Sequence, residues 1–446
     1  MNQNFEKTDQ KEENVESGVE DIESLMSLNN TPEGKIGNMP ERLEWFRSLG
    51  LGLFIHWSMD SQLGCVISHS LVGASDDYVH RFIHDLPRTF NPRKFDPESW
   101  AVLARVAGMK YVVFTTKHHS GFCMFETETT DFNIMNTPYG KDITREIVDA
   151  FRKHGIHIGF YFSPDDFHFL HQHGRVISRV RPESLPSNNP DLMTHNLRQV
   201  RELMTNYGPI DILFLDGEPY GLRELAWNLH PEIVVTRGGM DTPEQKLPDE
   251  SIPDPWEACF TLGTQWHYKP TNEEYKSGTR LIEILIETRA KGGNLLINMG
   301  PTHDGEIPFE QERRFQELAL WNFINRDAVY DVLPWHISNE GDIWFTRTTD
   351  NDTVYAIVTK TPWLYRTTRT VTLKSVRATE NTEIEILGQS GNVIEYQSER
   401  NPKAKWKQDS ECLTIEATRA QRIYNDGTWP NPVVIKITHA ETGSAL

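Results

Sequence analysis

Asp216 closes an apolar run, Asp211-Ile-Leu-Phe-Leu-Asp216-Gly217. A short apolar run bounded by turn residues reads as a buried parallel strand. Ligands of α/β sheets and barrels sit at the carboxyl ends of such strands, so a lone carboxylate there is a candidate for chemistry rather than packing. Trp256-Glu257-Ala258-Cys259 supplies a second acid on a second strand reading. Two carboxylates on two strands suit cleavage of a glycosidic bond, which needs a group at the anomeric carbon and a proton for the leaving oxygen.

Other polar residues recur where strands of this reading end. They are His56-Trp57, then Lys117-His118-His119, then Tyr161 followed by Asp165-Asp166, then Thr236-Arg237-Gly238-Gly239. Trp266-His267-Tyr268 follows Glu257. Histidines, an arginine and aromatic rings make a pocket suited to a neutral polyol. Each has a plainer explanation alone. Asp216 could be a helix N-cap, His118-His119 an ordinary loop pair, and Arg237 half of a surface ion pair. Recurrence on six consecutive strands favours a site.

Glu244, within Thr242-Pro-Glu-Gln245, ranks second to Glu257 as the acid, because turn residues surround it. Asp165 and Asp166 rank lower. His168, His171 and His173 lie near Asp165-Asp166, but the spacing is not that of a zincin helix and there is no HExxH. No GxSxG elbow is present, and Gly50-Leu51-Gly52 is too short for a dinucleotide fingerprint. The expectation is chemistry without a metal or an organic cofactor.

The elements that must carry these residues alternate. Strand readings cover 51–57, 111–116, 156–163, 210–216, 233–237, 256–261 and 294–299. Helix readings cover 96–107, 141–154, 192–207, 222–229, 272–291 and 309–325. Such alternation predicts an α/β fold with a parallel sheet, here an irregular (β/α)-barrel over 39–335 in which no eighth strand is evident. After about residue 335 the strands become short and turn-bounded, at 342–347, 353–359, 369–373, 382–387, 412–415 and 433–437. They predict an antiparallel β-sandwich over 336–446. Residues 1–38 carry nine acidic residues against three lysines and read as a polar, disordered tail, with a short helix at 22–28.

The 446 residues allow a barrel plus a smaller module. Net charge is −19, from 45 Lys plus Arg against 64 Asp plus Glu, so the chain repels phosphate backbones and nucleic acid is not expected as a partner. Twelve Trp, 13 Tyr and 21 Phe supply a core with rings to spare for stacking on sugar faces. Cys65, Cys123, Cys259 and Cys412 are scattered, with no CxxC pair, and read as packing thiols. No apolar run of about 18 residues calls for a membrane span. The N-terminus lacks an export signal, which reads as cytoplasmic as written, or periplasmic or secreted if a signal was removed. A homo-oligomer is left open.

Taken together these segments resemble the retaining α-L-fucosidases, glycoside hydrolase family 29, from about Trp45 to Trp335. The resemblance is carried by Gly52-Leu-Phe-Ile-His-Trp57, Tyr111 to Phe122, Gly159-Phe-Tyr-Phe-Ser-Pro164, Ile210 to Gly217, Trp256-Glu-Ala-Cys259, Asn294-Leu-Leu-Ile-Asn-Met-Gly-Pro301 and Asp304-Gly-Glu-Ile307. It implies an exo-acting enzyme that releases terminal α-L-fucosyl residues from a fucosylated oligosaccharide or polysaccharide through a covalent fucosyl-enzyme. It implies Asp216 as nucleophile and Glu257 as general acid/base. His56, His118, His119, Tyr161 and Arg237 match positions that hold the sugar, and Trp266 and His267 would shape the aglycone side. Two positions depart from the family pattern. The loop Ser68-His-Ser-Leu-Val-Gly-Ala-Ser75 lacks a Glu-Trp pair, so His69 is expected to take over its contact, and Phe214 stands where a Trp is common. The rival readings are an α-L-galactosidase, since L-galactose differs from L-fucose by one hydroxyl, and a glycan-binding protein without turnover.

Overall fold

A computed structural model describes residues 37–424 and 429–443. The helix reading at 22–28, and all but the last two residues of the acidic tail, lie outside the described residues.

Seven parallel strands form one sheet. They are β1 (Leu51–Ile55), β2 (Tyr111–Lys117), β3 (His157–Phe162), β4 (Ile212–Leu215), β5 (Val234–Val235), β6 (Glu257–Phe260) and β7 (Asn294–Met299), in the order β5-β4-β3-β2-β1-β7-β6. All seven match strand readings. They are legible because both faces of a parallel sheet are covered, so each strand is a nearly continuous apolar run. Alternate residues take opposite faces. Phe54, Tyr111, Val113, Tyr161, Ile212, Phe214, Val234, Cys259 and Leu296 pack together as one cluster inside the curl of the sheet. Their neighbours, such as Leu53, Val112, Phe160, Leu213 and Leu295, join the larger cluster under the helices.

The helices are α1 (Pro40–Leu49), α2 (Asp76–His84), α3 (Pro97–Val106), α4 (Ile143–Lys153), α5 (Phe167–Gln172), α6 (Pro190–Asn206), α7 (Leu222–Leu229), α8 (Gly278–Ala290) and α9 (Phe309–Asn325). Several start at N-caps the sequence supplies. Asp96, Asp142, Asn189 and Ser277 each accept the backbone N–H three residues on. Helix α1 closes the amino end of the sheet by placing Phe46 and Leu49 in the inner cluster.

Among the described residues no strand pairs β5 with β6. Instead residues 241–245 run parallel beside β6. The N–H of Cys259 donates to Pro243 O at 3.1 Å, that of Gln245 to Cys259 O at 3.0 Å, and that of Glu257 to Asp241 O at 3.2 Å. A bridge pairs Glu244 with Cys259. Pro243 has no N–H to give a second neighbour, and Gln245 has a left-handed φ of 56°. This segment is a broken stave of the barrel that apolar periodicity does not reveal.

The antiparallel part begins at Val332. Strands β8 (Val332–Glu340), β9 (Ile343–Thr348), β10 (Val354–Val358), β13 (Ile384–Ile386) and β16 (Val433–Ile437) form a five-stranded sheet. β11 (Thr368–Leu373), β14 (Lys405–Gln408) and β15 (Leu413–Thr418) form a second sheet, and β12 (Val376–Ala378) pairs with β17 (Ala440–Thr442). Helix α8 lies against β8 and β9, and Trp321 of α9 donates to Pro432 O at 2.9 Å.

Candidate active site

Asp216 follows β4, its N–H held by Phe162 O at 3.1 Å. Gly217 has φ 151°, and a Cβ there would meet the Pro164 ring at 3.0 Å, so a side chain would push this turn off Pro164. The carboxylate enters a pocket lined by Phe54, His56, His118, Tyr161, Phe214 and Trp266, with Ser68, Arg179, Arg237, Glu244 and Cys259. Tyr161 donates to Asp216 Oδ2 at 2.8 Å, and Arg237 donates to Oδ1 at 3.2 Å. Arg179 Nη2 stands 3.7 Å from Oδ1, and His119 Nε2 3.6 Å from Oδ2. Burial pushes the Asp216 carboxyl up, but the Arg237 and Arg179 guanidiniums outweigh it and hold it below the usual carboxylate range. Asp216 is therefore an ionised carboxylate at neutral pH.

His56 lies beyond β1, with Nδ1 2.6 Å from Asn298 Oδ1. The Asn298 amide nitrogen donates to Trp266 O, so its oxygen is left to accept from His56 Nδ1–H. That fixes the tautomer and leaves Nε2 as an acceptor. Burial lowers the His56 pKa to about 3, so the ring is neutral. His118 stacks on Tyr161, with centroids 5.0 Å apart and planes 9° apart. His119 Nδ1 sits 2.5 Å from Ser163 Oγ. Phe214 packs on Phe54 and Tyr161 at 5.0 and 5.6 Å, forming the apolar floor.

Glu257 is not brought to this pocket. It begins β6, level with Asn294 at the start of β7, whereas Asp216 follows the end of β4. Its side chain shares the inner face with Cys259, which lies two residues, or roughly 7 Å along the strand, nearer the pocket. It is 0% exposed and accepts from Tyr111 OH at 2.6 Å. Burial pushes its pKa to about 7, as an acid catalyst would need, but a proton donor must first reach its substrate. The expectation of Glu257 as general acid is corrected on this ground.

Glu244 does reach the pocket, carried there by the pairing of residues 241–245 with β6. Its Oε2 accepts from both Arg237 terminal nitrogens at 3.1 Å, and its Oε1 accepts from Trp266 Nε1 at 3.2 Å. Its side chain is 42% exposed, open to an arriving leaving group.

His69 is also corrected. Its side chain is exposed and does not line the pocket, whereas its neighbour Ser68 does. His267 turns away from the pocket and is buried among residues of the loop after β1. Lys117 pairs with Asp166 at 3.2 Å and Asn196 at 2.9 Å, and Asp166 caps α5 through Phe169 N. His168 stacks on Phe132 and His173 bonds Phe169 O. Sequence reasoning missed Arg179, which bonds Asp165 at 2.7 Å, and Asn298. Arg179 sits in a loop with no periodic signal, but Asn298 interrupts an apolar strand at its carboxyl end and could have been found. A larger groove of about 360 Å³ opens on the antiparallel sheets beside Glu383, Glu385 and Trp406, but those acids are exposed.

The buried Glu257 carries a pH prediction. Its folded pKa of about 7 exceeds the ordinary 4.5, so between those values the folded state holds a proton that the unfolded state has lost. Stability contributed by that proton is complete below about pH 4.5 and is lost as pH rises to about 7, an effect of about 3 kcal/mol. Glu257→Gln keeps an acceptor for Tyr111 without the charge. Melting temperatures measured from pH 5 to 8 should therefore converge at the acidic end, with the variant gaining on the wild type as pH rises.

Among the described residues no helix is long and apolar enough to cross a membrane. Residues 30–327 match the family model described as Alpha-L-fucosidase. The chain is 29% identical to the plasma alpha-L-fucosidase of Rattus norvegicus over 71% of this chain and 77% of that protein. It is 29% identical to the tissue alpha-L-fucosidase of Mus musculus over 78% and 84%. Its fold superposes on alpha-L-fucosidase isoenzyme 1 from Paenibacillus thiaminolyticus with a TM-score of 0.72 at 27% identity, covering 89% of this chain and 98% of that one. The chain belongs to the α-L-fucosidase family and is a glycoside hydrolase.

Proposed function

We propose an exo-acting retaining α-L-fucosidase in which Asp216 is the nucleophile and Glu244 the general acid/base. The observation that carries this reading is the Arg237 bridge. One nitrogen, Nη1, lies 3.2 Å from Asp216 Oδ1 and 3.1 Å from Glu244 Oε2. Those two oxygens are no farther apart than the sum of the distances, about 6.3 Å. That bound falls short of the about 6.5–9.5 Å that an inverting pair needs to seat a water, and it accommodates the about 5–5.5 Å of a retaining pair. Asp216 attacks the anomeric carbon while Glu244 gives its proton to the departing glycosidic oxygen. Glu244 then takes a proton from the water that releases fucose. Phe54, Phe214 and Cys259 close the pocket from below, so a sugar enters only from the carboxyl side of the sheet, which favours chain-end residues of fucosylated glycans. His56 Nε2 accepts a sugar hydroxyl, and Trp266 faces the ring.

The test is release of 4-nitrophenol from the aryl α-L-fucoside and the aryl α-L-galactoside side by side, with NMR of the first sugar formed. Fucoside turnover with α-fucose appearing first supports the reading. Preference for the galactoside would reassign the sugar, β-fucose first would overturn retention, and binding without turnover would overturn the enzyme.

Arg179→Ala should move the acid limb of the kcat/KM profile. Removing a cation 3.7 Å from Asp216 raises the pKa of a group that must be ionised, so activity should fail at a higher pH than in wild type. A limb that stays in place would show that Asp216 does not set it.

A further inference from the structure

Next to Trp266 in the chain, His267 belongs to a second cluster that the fucosidase site does not use. Asp60 belongs to the turn after β1, Cys65 to the same loop, and His267 to the loop after β6. Asp60 is 0% exposed and His267 is 3% exposed. Neither Asp60 oxygen and neither His267 ring nitrogen has a hydrogen-bond partner. The Ser58 hydroxyl approaches Asp60 without reaching hydrogen-bonding geometry. No lysine or arginine among the described residues comes within ion-pair distance of Asp60. One ligand atom from each of Asp60, Cys65 and His267 lies within 4.8 Å of the other two.

Burying a carboxylate with neither a hydrogen bond nor a lysine or arginine partner is costly, and an orphaned imidazole beside it adds to that cost. A cation among the three atoms would neutralise the carboxylate and give one Asp60 oxygen and one His267 nitrogen a partner. The donors are one oxygen, one sulfur and one nitrogen. That mixture suits a borderline-soft divalent ion and not Mg²⁺ or Ca²⁺, which take oxygen.

We propose that Asp60, Cys65 and His267 bind one divalent transition-metal ion of the zinc class, which ties the loop after β1 to the loop after β6. Bonds of about 2.3 Å to sulfur and about 2.0–2.2 Å to nitrogen and oxygen require the three atoms to draw in by up to about an ångström, within reach of side-chain rotation. Binding converts the Cys65 thiol to a thiolate and releases its proton to solvent. A fourth position is left for water. The two loops carry Ser68 and Trp266 of the sugar pocket, so the ion would be structural and would set the width of the pocket mouth. This inference stands whether or not the assignment of Asp216 and Glu244 holds.

The test uses the full chain without a histidine tag, stripped with a chelator and dialysed, then titrated with Zn²⁺ or Co²⁺ alone. The expected result is one equivalent bound per chain. Co²⁺ should give a tetrahedral visible spectrum with a thiolate charge-transfer band. Cys65→Ser should abolish that band. Cys65→Ser and Asp60→Asn should each weaken Zn²⁺ binding by at least about 10-fold, the cost of disturbing even an outer-shell partner. Zn²⁺ should raise the melting temperature of wild type but not of the variants. Cys65 is only half-buried, so Cys65→Ser keeps the test decisive if Asp60→Asn fails to fold. Substoichiometric uptake, equal affinity in Cys65→Ser, or a cobalt complex without the thiolate band would overturn the proposal.

Discussion

Asp216→Ala should lower kcat at least about 10⁴-fold, as removal of a nucleophile does in other hydrolases that work through covalent intermediates. Among the described residues the other acid lining the pocket is Glu244, which Arg237 and Trp266 hold. Asp165 is tied to Arg179, Asp166 to Lys117, and Glu257 lies two residues below the pocket. The protein should still fold, because Asp216 follows β4 rather than packing within it and its side chain is 21% exposed. Tyr161, Arg237 and Arg179 would lose an acceptor at the pocket mouth, where water can replace it. Added azide should enter the vacated space and attack the anomeric carbon, giving a fucosyl azide of inverted configuration. Activity near wild type in this variant, with the fold intact, would remove Asp216 from the mechanism.

The second large effect separates two glutamates. Glu244→Ala should lower kcat/KM by about 10²–10⁴ on glycans with poor leaving groups, the usual worth of a positioned acid. Aryl fucosides need little protonation, so their first step should survive, and azide should then intercept the fucosyl-enzyme and give an azide of retained configuration. Glu257→Gln should stay within about tenfold of wild type, or about 1.4 kcal/mol. The two variants make opposite demands on the structure. If Glu257 is the acid, its 0% exposure and its bond to Tyr111 must give way in solution, and Glu257→Gln would then be the crippled, azide-rescued variant. The raised pKa of Glu257 does not decide the matter, since burial alone produces it.

The fold was largely legible because its strands are buried on both faces and its helices carry their own caps. Asp216 was legible because it follows its apolar run, which puts it at the carboxyl end. Glu257 carried the opposite signal. It precedes Ala258-Cys259-Phe260, which puts it at the amino end, away from where barrels hold ligands. Reading a carboxylate as being on a strand, without asking which end, led to a glutamate that is buried outside the pocket. Glu244 was named but ranked second for a different reason. Pro243 and the left-handed Gln245 disguise a barrel stave as a turn, and only the hydrogen bonds to β6 expose it. Arg179 reaches Asp216 through tertiary packing of a long loop after β3, and no local pattern encodes that. The apolar-to-polar switch at Asn298 was present in the sequence, but its role depends on His56 and Trp266, which come from two other strands' ends.

The most direct test of the central claim is covalent capture. The chain should be treated with a 2-deoxy-2-fluoro-α-L-fucosyl donor bearing a good leaving group, digested, and mapped by mass spectrometry. The account predicts one added fluorofucosyl group per chain, carried on Asp216, accumulating in wild type and in Glu257→Gln. A label on any other carboxylate, or full consumption of the donor with no label at all, would contradict it.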